Sequence, residues 1–203
     1  AGLAVDSKFF GTKKTNLYSY LSFDGYNDYI KIGATKELKE LTQNSFSISV
    51  TLKPDMQHQV ENIPYDEHFV FSIPGYHCGL SYTSHRRYKA DMFDSNSKSK
   101  AILSDIQTEY FNQLTMVYNK DMDMFTFYQN GEIVDSKKIE KVYDYTKEDF
   151  IYIGCANPKN QKYAYFFKGE ISEVAVWNDC LDKDEVKSLY NNNHVRTLTD
   201  DFD

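Results

Sequence analysis

Two glutamates near the C-terminus are the residues whose type and spacing come nearest to a catalytic pair. Glycoside hydrolysis needs two carboxyl groups about 5–9.5 Å apart, one as acid and one as nucleophile or base. Glu170 and Glu173 are three residues apart, so on a regular strand their side chains point to opposite faces. The phase change from Ile171 to Val174 instead indicates an exposed strand edge with a bulge. The sequence therefore predicts that the chain is not an enzyme, and a divergent glycoside hydrolase is the least favoured alternative.

The five histidines and three cysteines form no pattern typical of nucleophilic catalysis or zinc binding. Neither HExxH nor CxxC occurs. His77 adjoins Cys78, but neighbouring residues of a strand face opposite ways. The odd cysteine count leaves two alternatives open: a disulfide between Cys155 and Cys180, or three reduced thiols.

Tyrosine and short polar side chains are the candidates for ligand binding. Aromatic faces stack on sugar rings, while polar groups fix the hydroxyls. With 17 tyrosines in the chain, any one of them can equally be a strand residue that packs in the core. The candidates are Tyr82, Tyr88 and Tyr128, expected opposite the apolar set, and Asp91, Asp94 and Asn96, expected near loops at the rim of a concave sheet.

Calcium is the metal that the sequence leaves open. It needs several hard oxygens that converge from loops. Asp24 and Asp28 flank the first predicted turn, and Asp121 and Asp123 lie in a predicted hairpin loop. Aspartate is also common in turns for its hydrogen bonds to the backbone, so the same four residues have a structural explanation.

Charge and composition exclude two classes of partner. The chain has 203 residues and a formal net charge of −7, whereas binding to nucleic-acid phosphates needs clusters of Lys and Arg. No apolar run reaches the roughly 18 residues of a membrane span. The aromatic content of 16% favours strands.

Alternating apolar runs separated by turn signals predict a chain made almost wholly of β-strands. Residues 45–52 alternate strictly, so we expect a strand with one buried and one wet face. Asn130-Gly131, between two such runs, is typical of a type I′ hairpin turn. Residues 35–41 predict a short helical turn. Many strands with one terminal helix predict a two-sheet antiparallel β-sandwich.

One helix near the C-terminus has complete start signals. Asp182 is placed to cap it, and Glu185 completes a capping box. Leu181 is positioned to pack on Val186 as a hydrophobic staple. Asn191 to Asn193 are expected to end the helix, because Asn tolerates the left-handed conformation.

Four segments of the chain carry a family resemblance: residues 21–25 with 28–30, 46–54, 114–118 with 127–132, and 167–178 with 181–190. In this order they resemble motifs of laminin-G-like and pentraxin-like domains of the concanavalin-A-like lectin/glucanase superfamily. The closing segment, which begins FKGEISEVAVWN, is also similar to that of the lectin-like subdomain of clostridial neurotoxins. The resemblance covers residues 17–193, although 54–110 match no motif.

The resemblance implies an all-β jelly roll with one short C-terminal helix. We expect one domain over 1–203, with a core at 17–193, an N-terminal arm at 1–16 and an acidic tail at 194–203. Many relatives bind calcium and sugars or protein partners. Ser172 stands where many relatives have an Asp, which removes one calcium ligand that the family would supply.

These expectations combine into a non-catalytic module that binds a glycan or a surface or extracellular protein partner. Its expected location is extracellular, at a cell surface or on a virion surface. The alternative is a structural or assembly protein, for example a component of a virion or an extracellular complex, that uses the sandwich for protein contacts.

Overall fold

Two antiparallel sheets of seven strands each make up most of the described chain. The computed structural model describes residues 5–7, 12–15, 18–33, 35–56, 67–73, 78–83, 85–106, 110–143, 150–156 and 164–195. The predicted two-sheet sandwich with one C-terminal helix is confirmed. No helix in the described ranges is long and apolar enough to cross a membrane.

Strands that are distant in sequence lie side by side in each sheet. The first sheet has the order β1 (Val5–Ser7), β4 (Ile30–Gly33), β13 (Phe150–Ile153), β6 (Glu67–Ile73), β7 (Cys78–Thr83), β8 (Arg87–Met92) and β9 (Ile102–Asp105). The second has the order β12 (Glu132–Lys138), β11 (Met124–Gln129), β10 (Asn112–Asn119), β5 (Phe46–Pro54), β14 (Lys168–Trp177), β3 (Tyr18–Asp24) and β2 (Thr12–Thr15). Both sheets therefore combine strands from the two halves of the chain.

The core fills the space between the sheets. On β5, Phe46, Ile48, Val50 and Leu52 are fully buried, as their alternation predicts. Residues directly opposite them on β10, such as Leu114, are buried on the same face. Burial of one such side chain contributes about 1.5–3 kcal/mol, so the period-two pattern sets which face of β5 turns inward.

The other face of β5 is buried as well, so the predicted wet face is wrong. Ser47, Ser49 and Thr51 are all less than a tenth exposed. The Ser47 hydroxyl donates to the Asp179 carbonyl (2.8 Å) and accepts the Leu181 N–H (3.0 Å). The chain leading into the last helix thus crosses this face and satisfies the Ser47 hydroxyl.

The last helix, α2 (Lys183–Val195), begins as predicted but ends later. The Asp182 carboxylate accepts the Glu185 N–H (2.8 Å), and the Glu185 carboxylate accepts the Asp182 N–H (2.8 Å). Val186 is fully buried, with Leu181 packed beside it. The expected end at 191–193 is wrong, because Asn costs only a few tenths of a kcal/mol in a helix interior.

The predicted Asn130-Gly131 hairpin is confirmed. Both residues have positive φ angles, 53° and 78°, as a type I′ turn requires. A Cβ on Gly131 would lie 3.2 Å from the Tyr190 Cβ and 3.3 Å from the Lys187 Cα. The glycine therefore also allows α2 to pack close to the turn.

Two described segments of the expected N-terminal arm pair with strands of the sandwich. β1 pairs with β4, and β2 pairs with β3, while the division of 1–203 into arm, core and tail stays a prediction. The short helical turn expected at 35–41 is present as α1 (Lys36–Lys39), followed by a 3-10 helix (Leu41–Gln43). Most of the predicted acidic tail lies outside the described residues.

All three cysteines are free thiols. Cys155 packs with Tyr152 and Phe166, whereas Cys180 packs beside Val117 on another cluster. The Cys155–Cys180 disulfide is therefore wrong, and the alternative of reduced thiols holds.

Candidate binding cleft at one end of the sandwich

A cleft lies at one end of the sandwich, where three strands of the second sheet come together. Gly169 pairs with Pro54, and Lys168 pairs with Asp24, so the end of β5, the start of β14 and the end of β3 lie together. The turn between β7 and β8 reaches the same place. The cleft has a volume of about 610 Å³. The residues that line this rim cleft include Lys53, Asp55, Met56, Arg86, Lys168 and Glu170.

Ion pairs line the rim cleft. The Lys53 Nζ is 3.7 Å from the Glu170 Oε2, and the Lys168 Nζ is 3.3 Å from the Asp55 Oδ2. Arg86 also lines the cleft, so the lining has three basic and two acidic side chains and a formal net charge of +1. The formal net charge of the whole chain is −7. Exposed pairs of this kind contribute only about 0–1 kcal/mol to folding, which leaves their charges available to a ligand.

A glycine is among the residues that line the rim cleft. Gly169 has φ +145°, and a Cβ there would lie 2.4 Å from the Lys53 carbonyl oxygen. The Asp55 N–H donates to the Lys168 carbonyl (3.0 Å). The close approach of β14 to β5 therefore fixes where both lysines and both carboxylates emerge.

A bulge in β14 places both candidate glutamates on one face. Glu170 lies opposite Lys53 and Glu173 lies opposite Thr51, with the register shift around Ser172. The predicted bulge is confirmed. The prediction that the two glutamates point to opposite faces is wrong, because the bulge adds a residue between them. The prediction of an exposed edge is also wrong, because β14 lies inside the sheet, between β5 and β3. Only Glu170 lines the rim cleft.

Two of the predicted sugar-binding tyrosines lie in the core. Tyr82 and Tyr88 face each other across β7 and β8, with ring centroids 6.4 Å apart, and are 2% and 0% exposed. The predicted position opposite the apolar set is wrong, because the alternation of β7 turns the small residues Gly79 and Ser81 outward. Burial raises the pKa of the Tyr88 hydroxyl. Neither ring offers a face to a sugar in this structure.

Tyr128 faces away from the core, as predicted, but α2 covers it. It is 6% exposed and packs with Val117 and Val186. Burial is the main cause that raises the pKa of its hydroxyl, and the nearby Cys180 and Asp182 add to the rise. The ring therefore anchors the helix to the second sheet.

Asp91 belongs to an ion cluster on the outer face of the first sheet. The Lys89 Nζ lies 2.8 Å from Asp91 and 2.6 Å from Glu67, and the Ser99 hydroxyl donates to Asp91 (2.5 Å). Burial alone would lower the pKa of Lys89, but the two carboxylates outweigh it and the pKa is raised. Asp91 is thus occupied by its neighbours.

Asp94 organises the turn in which Asn96 lies. Its Oδ1 accepts the N–H groups of Asn96 (2.9 Å) and Lys98 (3.0 Å). The hydrogen bond from Lys98, more than any other interaction, holds the pKa of Asp94 below its ordinary range. Asn96 is exposed at the tip. The structure therefore distributes the six predicted ligand-binding residues over separate places, and their role in binding stays a prediction.

Two of the four acidic residues considered for calcium, Asp24 and Asp28, hold a turn. The Asp24 Oδ1 accepts the Tyr26 N–H (2.7 Å), and the Asp28 Oδ2 accepts the Asp24 N–H (2.9 Å). Asp121 is exposed, and Asp123 adopts φ 50° in its hairpin. Within the described ranges, no three His, Cys, Asp or Glu side chains come together as a metal would require.

The sequence contains two short segments that together form much of the rim cleft, but they are far apart along the chain. Residues 53–55 read Lys-Pro-Asp, and residues 168–170 read Lys-Gly-Glu. Each is a strand terminus with one lysine and one carboxylate. Only the pairing of β5 with β14 brings the two together.

Comparisons with known proteins agree with the two-sheet architecture. A family model described as Laminin_G_3, Concanavalin A-like lectin/glucanases superfamily, matches residues 24–187. No curated protein matches the sequence.

Similar solved structures are titled as binding domains. One is the binding domain of Paraclostridial Mosquitocidal Protein 1, with a TM-score of 0.71, 15% identity, and 94% of this chain and 47% of that chain covered. Another is the botulinum neurotoxin serotype G binding domain, with a TM-score of 0.70 and 16% identity; the match covers 94% of this chain and 46% of that chain. The serotype D binding domain has a TM-score of 0.67 and 17% identity, and the match covers 94% of this chain and 47% of that chain. The chain spans about half the length of these domains, and identities this low show the fold alone.

Proposed function

Since the chain belongs to the laminin-G-like family of the concanavalin A-like lectin/glucanase superfamily, we propose that it is a non-catalytic module that binds a glycan in the rim cleft. The observation that carries this proposal is the pairing of two lysines with two carboxylates around a cleft of about 610 Å³. Small-molecule sites in proteins measure about 300–1,000 Å³.

The chemistry of the lining suits a polyhydroxylated ligand. Each sugar hydroxyl both donates and accepts hydrogen bonds, so it can bridge a lysine donor and a carboxylate acceptor. The pairs Lys53–Glu170 and Lys168–Asp55 present both kinds of group. Met56 adds an apolar surface for the C–H side of a ring.

The ion pairs of the rim cleft support binding over catalysis. Both carboxylates that line it, Asp55 and Glu170, are held by lysines, an arrangement that suits the fixing of ligand hydroxyls. The similar solved structures are titled as binding domains, which supports a secreted or surface location for this module as well.

A glycan array tests the proposal. The labelled protein is compared with Lys53→Met/Lys168→Met, which keeps side-chain length but removes both ammonium groups. Lys138→Met is the control, because Lys138 forms an exposed ion pair (3.9 Å to Glu140) outside the cleft. We expect signal for the wild type and the control, and none for the double variant. Equal signal from all three proteins contradicts the assignment of the cleft.

A structural or assembly role is the second candidate, and two exposed edge residues favour it. Leu103 on β9 is 43% exposed and Ile133 on β12 is 49% exposed. Both β9 and β12 are edge strands of their sheets. Sedimentation of the protein alone and mixed with its native complex tests this role. A lack of glycan signal together with stable co-sedimentation would favour assembly over glycan binding.

A further inference from the structure

Two polar side chains on the outer face of the second sheet are buried without hydrogen-bond partners. Gln113 on β10 is 3% exposed and Thr51 on β5 is 7% exposed. In the part of the chain that the structure describes, neither amide atom of the Gln113 side chain nor the Thr51 hydroxyl has a partner. Most buried polar groups in proteins are paired, and an unpaired one destabilises the fold. These two residues therefore need an explanation other than folding.

The two unpaired side chains are neighbours on one surface. Gln113 and Thr51 are direct partners across β10 and β5, and such partners have Cβ atoms about 4.5–5.5 Å apart. Leu114 and Leu52, which follow them on their strands, belong to the core between the sheets. Since successive side chains of a strand alternate between faces, both Gln113 and Thr51 point to the outer face.

Two aromatic rings meet above this face. Tyr20 lies on β3 beside Leu21, which packs against the core, so the Tyr20 ring points outward. Phe111 directly precedes β10, two residues before Gln113. The strand order β10-β5-β14-β3 separates the two backbones by three strand spacings, or about 14 Å, yet the ring centroids are 5.9 Å apart. The rings therefore lean towards each other over β5 and β14 and cover the outer face.

The covered face continues into the rim cleft. Lys53, which lines the cleft, follows Thr51 by two residues on β5, so the two share a face at a spacing of about 6.8 Å. A ligand larger than one sugar ring can therefore contact Lys53 in the cleft and the Thr51–Gln113 pair at the same time.

The unpaired groups suit two neighbouring hydroxyls. A carboxamide presents donors on its nitrogen and an acceptor on its oxygen, so two hydroxyls on adjacent carbons can bond to both sides of Gln113. The Thr51 hydroxyl both donates and accepts. The rings of Tyr20 and Phe111 supply an apolar surface for the C–H side of a sugar.

We propose that Gln113 and Thr51 form a second sugar subsite, which binds a vicinal diol of the unit next to the one in the rim cleft. The Tyr20–Phe111 ring pair closes over this unit and parts to admit it. The subsite lies on the β10 side of β5, whereas Glu173 lies on the β14 side. This inference rests on the proposed glycan-binding function and adds to it the chemistry of the second unit.

Calorimetric titration with disaccharides tests the subsite. The probes are maltose, cellobiose, lactose and N,N′-diacetylchitobiose, followed by the monodeoxy forms of the one that binds most tightly. Gln113→Leu and Thr51→Val should each weaken binding of that disaccharide about tenfold. A monodeoxy form that lacks one hydroxyl of the diol should lose a similar factor with the wild type, but little more with Gln113→Leu, because the partner is already gone.

Urea unfolding separates a binding role from a structural one. Gln113→Leu and Thr51→Val remove unpaired buried groups, so the unfolding midpoint should stay the same or rise. Thr115→Val is the matched control on the same face, two residues after Gln113, because the Thr115 hydroxyl donates to the Ser49 hydroxyl (3.0 Å). It should lower the midpoint and leave the affinity unchanged.

The outcomes distinguish failure of the inference from failure of the proposed function. If the lysine double variant loses binding while Gln113→Leu and Thr51→Val match the wild type, the function stands and the inference is overturned. A fall in the midpoint of Gln113→Leu as large as that of Thr115→Val would show that the amide serves the fold, and also overturns the inference. If no disaccharide binds, both are overturned. Loss of binding in Gln113→Leu with full binding in the lysine double variant would keep the subsite and overturn the assignment of the rim cleft.

Discussion

Lys53 and Glu170 lie opposite each other where β5 and β14 reach the end of the sandwich, with Nζ 3.7 Å from Oε2. Their side chains are 42% and 27% exposed, so water and salt screen the pair. An ion pair that adds so little to folding can exchange partners with a ligand at small cost. Its position in the rim cleft therefore matters more than its strength.

Removal of the Glu170 charge should affect binding but not folding. Glu170→Gln should weaken glycan binding about tenfold, the size expected for loss of a charged hydrogen bond, and change the free energy of unfolding by less than about 1 kcal/mol. Glu173→Gln is the matched control outside the cleft. Calorimetric titration and urea unfolding measure the two quantities. Release of reducing sugar by the wild type that both variants lack would instead support a hydrolase.

Gly169, in the lining of the rim cleft, should tolerate no side chain. Gly169→Ala places a Cβ 2.4 Å from the Lys53 carbonyl at φ +145°, so we expect a loss of about 2–4 kcal/mol in the free energy of unfolding. Gly33→Ala is the control, since nothing lies within 4 Å of its Cβ, and should cost less than about 1 kcal/mol. Urea denaturation measures both. Equal losses would show that the close approach at Gly169 does not constrain the fold.

Some features of this fold follow from local sequence because one or two residues determine them. The alternation of β5 sets its inner face, Asn130-Gly131 sets a turn, and Asp182 with Glu185 sets the start of α2. The burial of Ser47 could not be predicted, because it depends on a contact with Asp179, 132 positions away.

The rim cleft and the positions of the tyrosines depend on how segments assemble. The lining comes from residues 53–56, the turn at Arg86 and residues 168–170, which no local pattern connects. Tyr82 was expected opposite the apolar set, but in β7 the ring fills the space between the sheets. Composition favours tyrosine in strands without indicating which face it takes.

The stability of the β3–β4 turn should depend on pH through Asp28. Burial, more than any other cause, raises the pKa of this carboxyl above its ordinary value of 3.8. The folded state then binds the proton more tightly than the unfolded state, so stability is lost as pH rises through the raised pKa. Asp28→Asn, which does not titrate, should gain stability relative to the wild type over that range.

Thermal unfolding from about pH 3 to about pH 7 measures this gain. The difference between Asp28→Asn and the wild type should grow above pH 3.8 and become constant once the pH exceeds the raised pKa. Asp121→Asn, on an exposed turn residue, is the control. A difference that does not vary with pH would contradict the assignment.

The three thiols should differ in reactivity. Burial raises the pKa of all three thiols, but Cys78 and Cys155 are fully buried, whereas Cys180 is only half-buried and reachable by a reagent. Since the thiolate is the reactive form, we expect a disulfide reagent to modify Cys180 first in the folded protein and all three after unfolding. Cys180→Ser should abolish the early phase. A total of one thiol after unfolding would instead indicate a disulfide.

The most direct test of glycan binding in the rim cleft is calorimetric titration of the strongest array glycan into three proteins. These are the wild type, Lys53→Met/Lys168→Met, and Lys138→Met as the surface control. The account predicts the same affinity for the wild type and the control, and a loss of at least about tenfold for the double variant with an unchanged unfolding temperature. Equal affinity for all three proteins would contradict it.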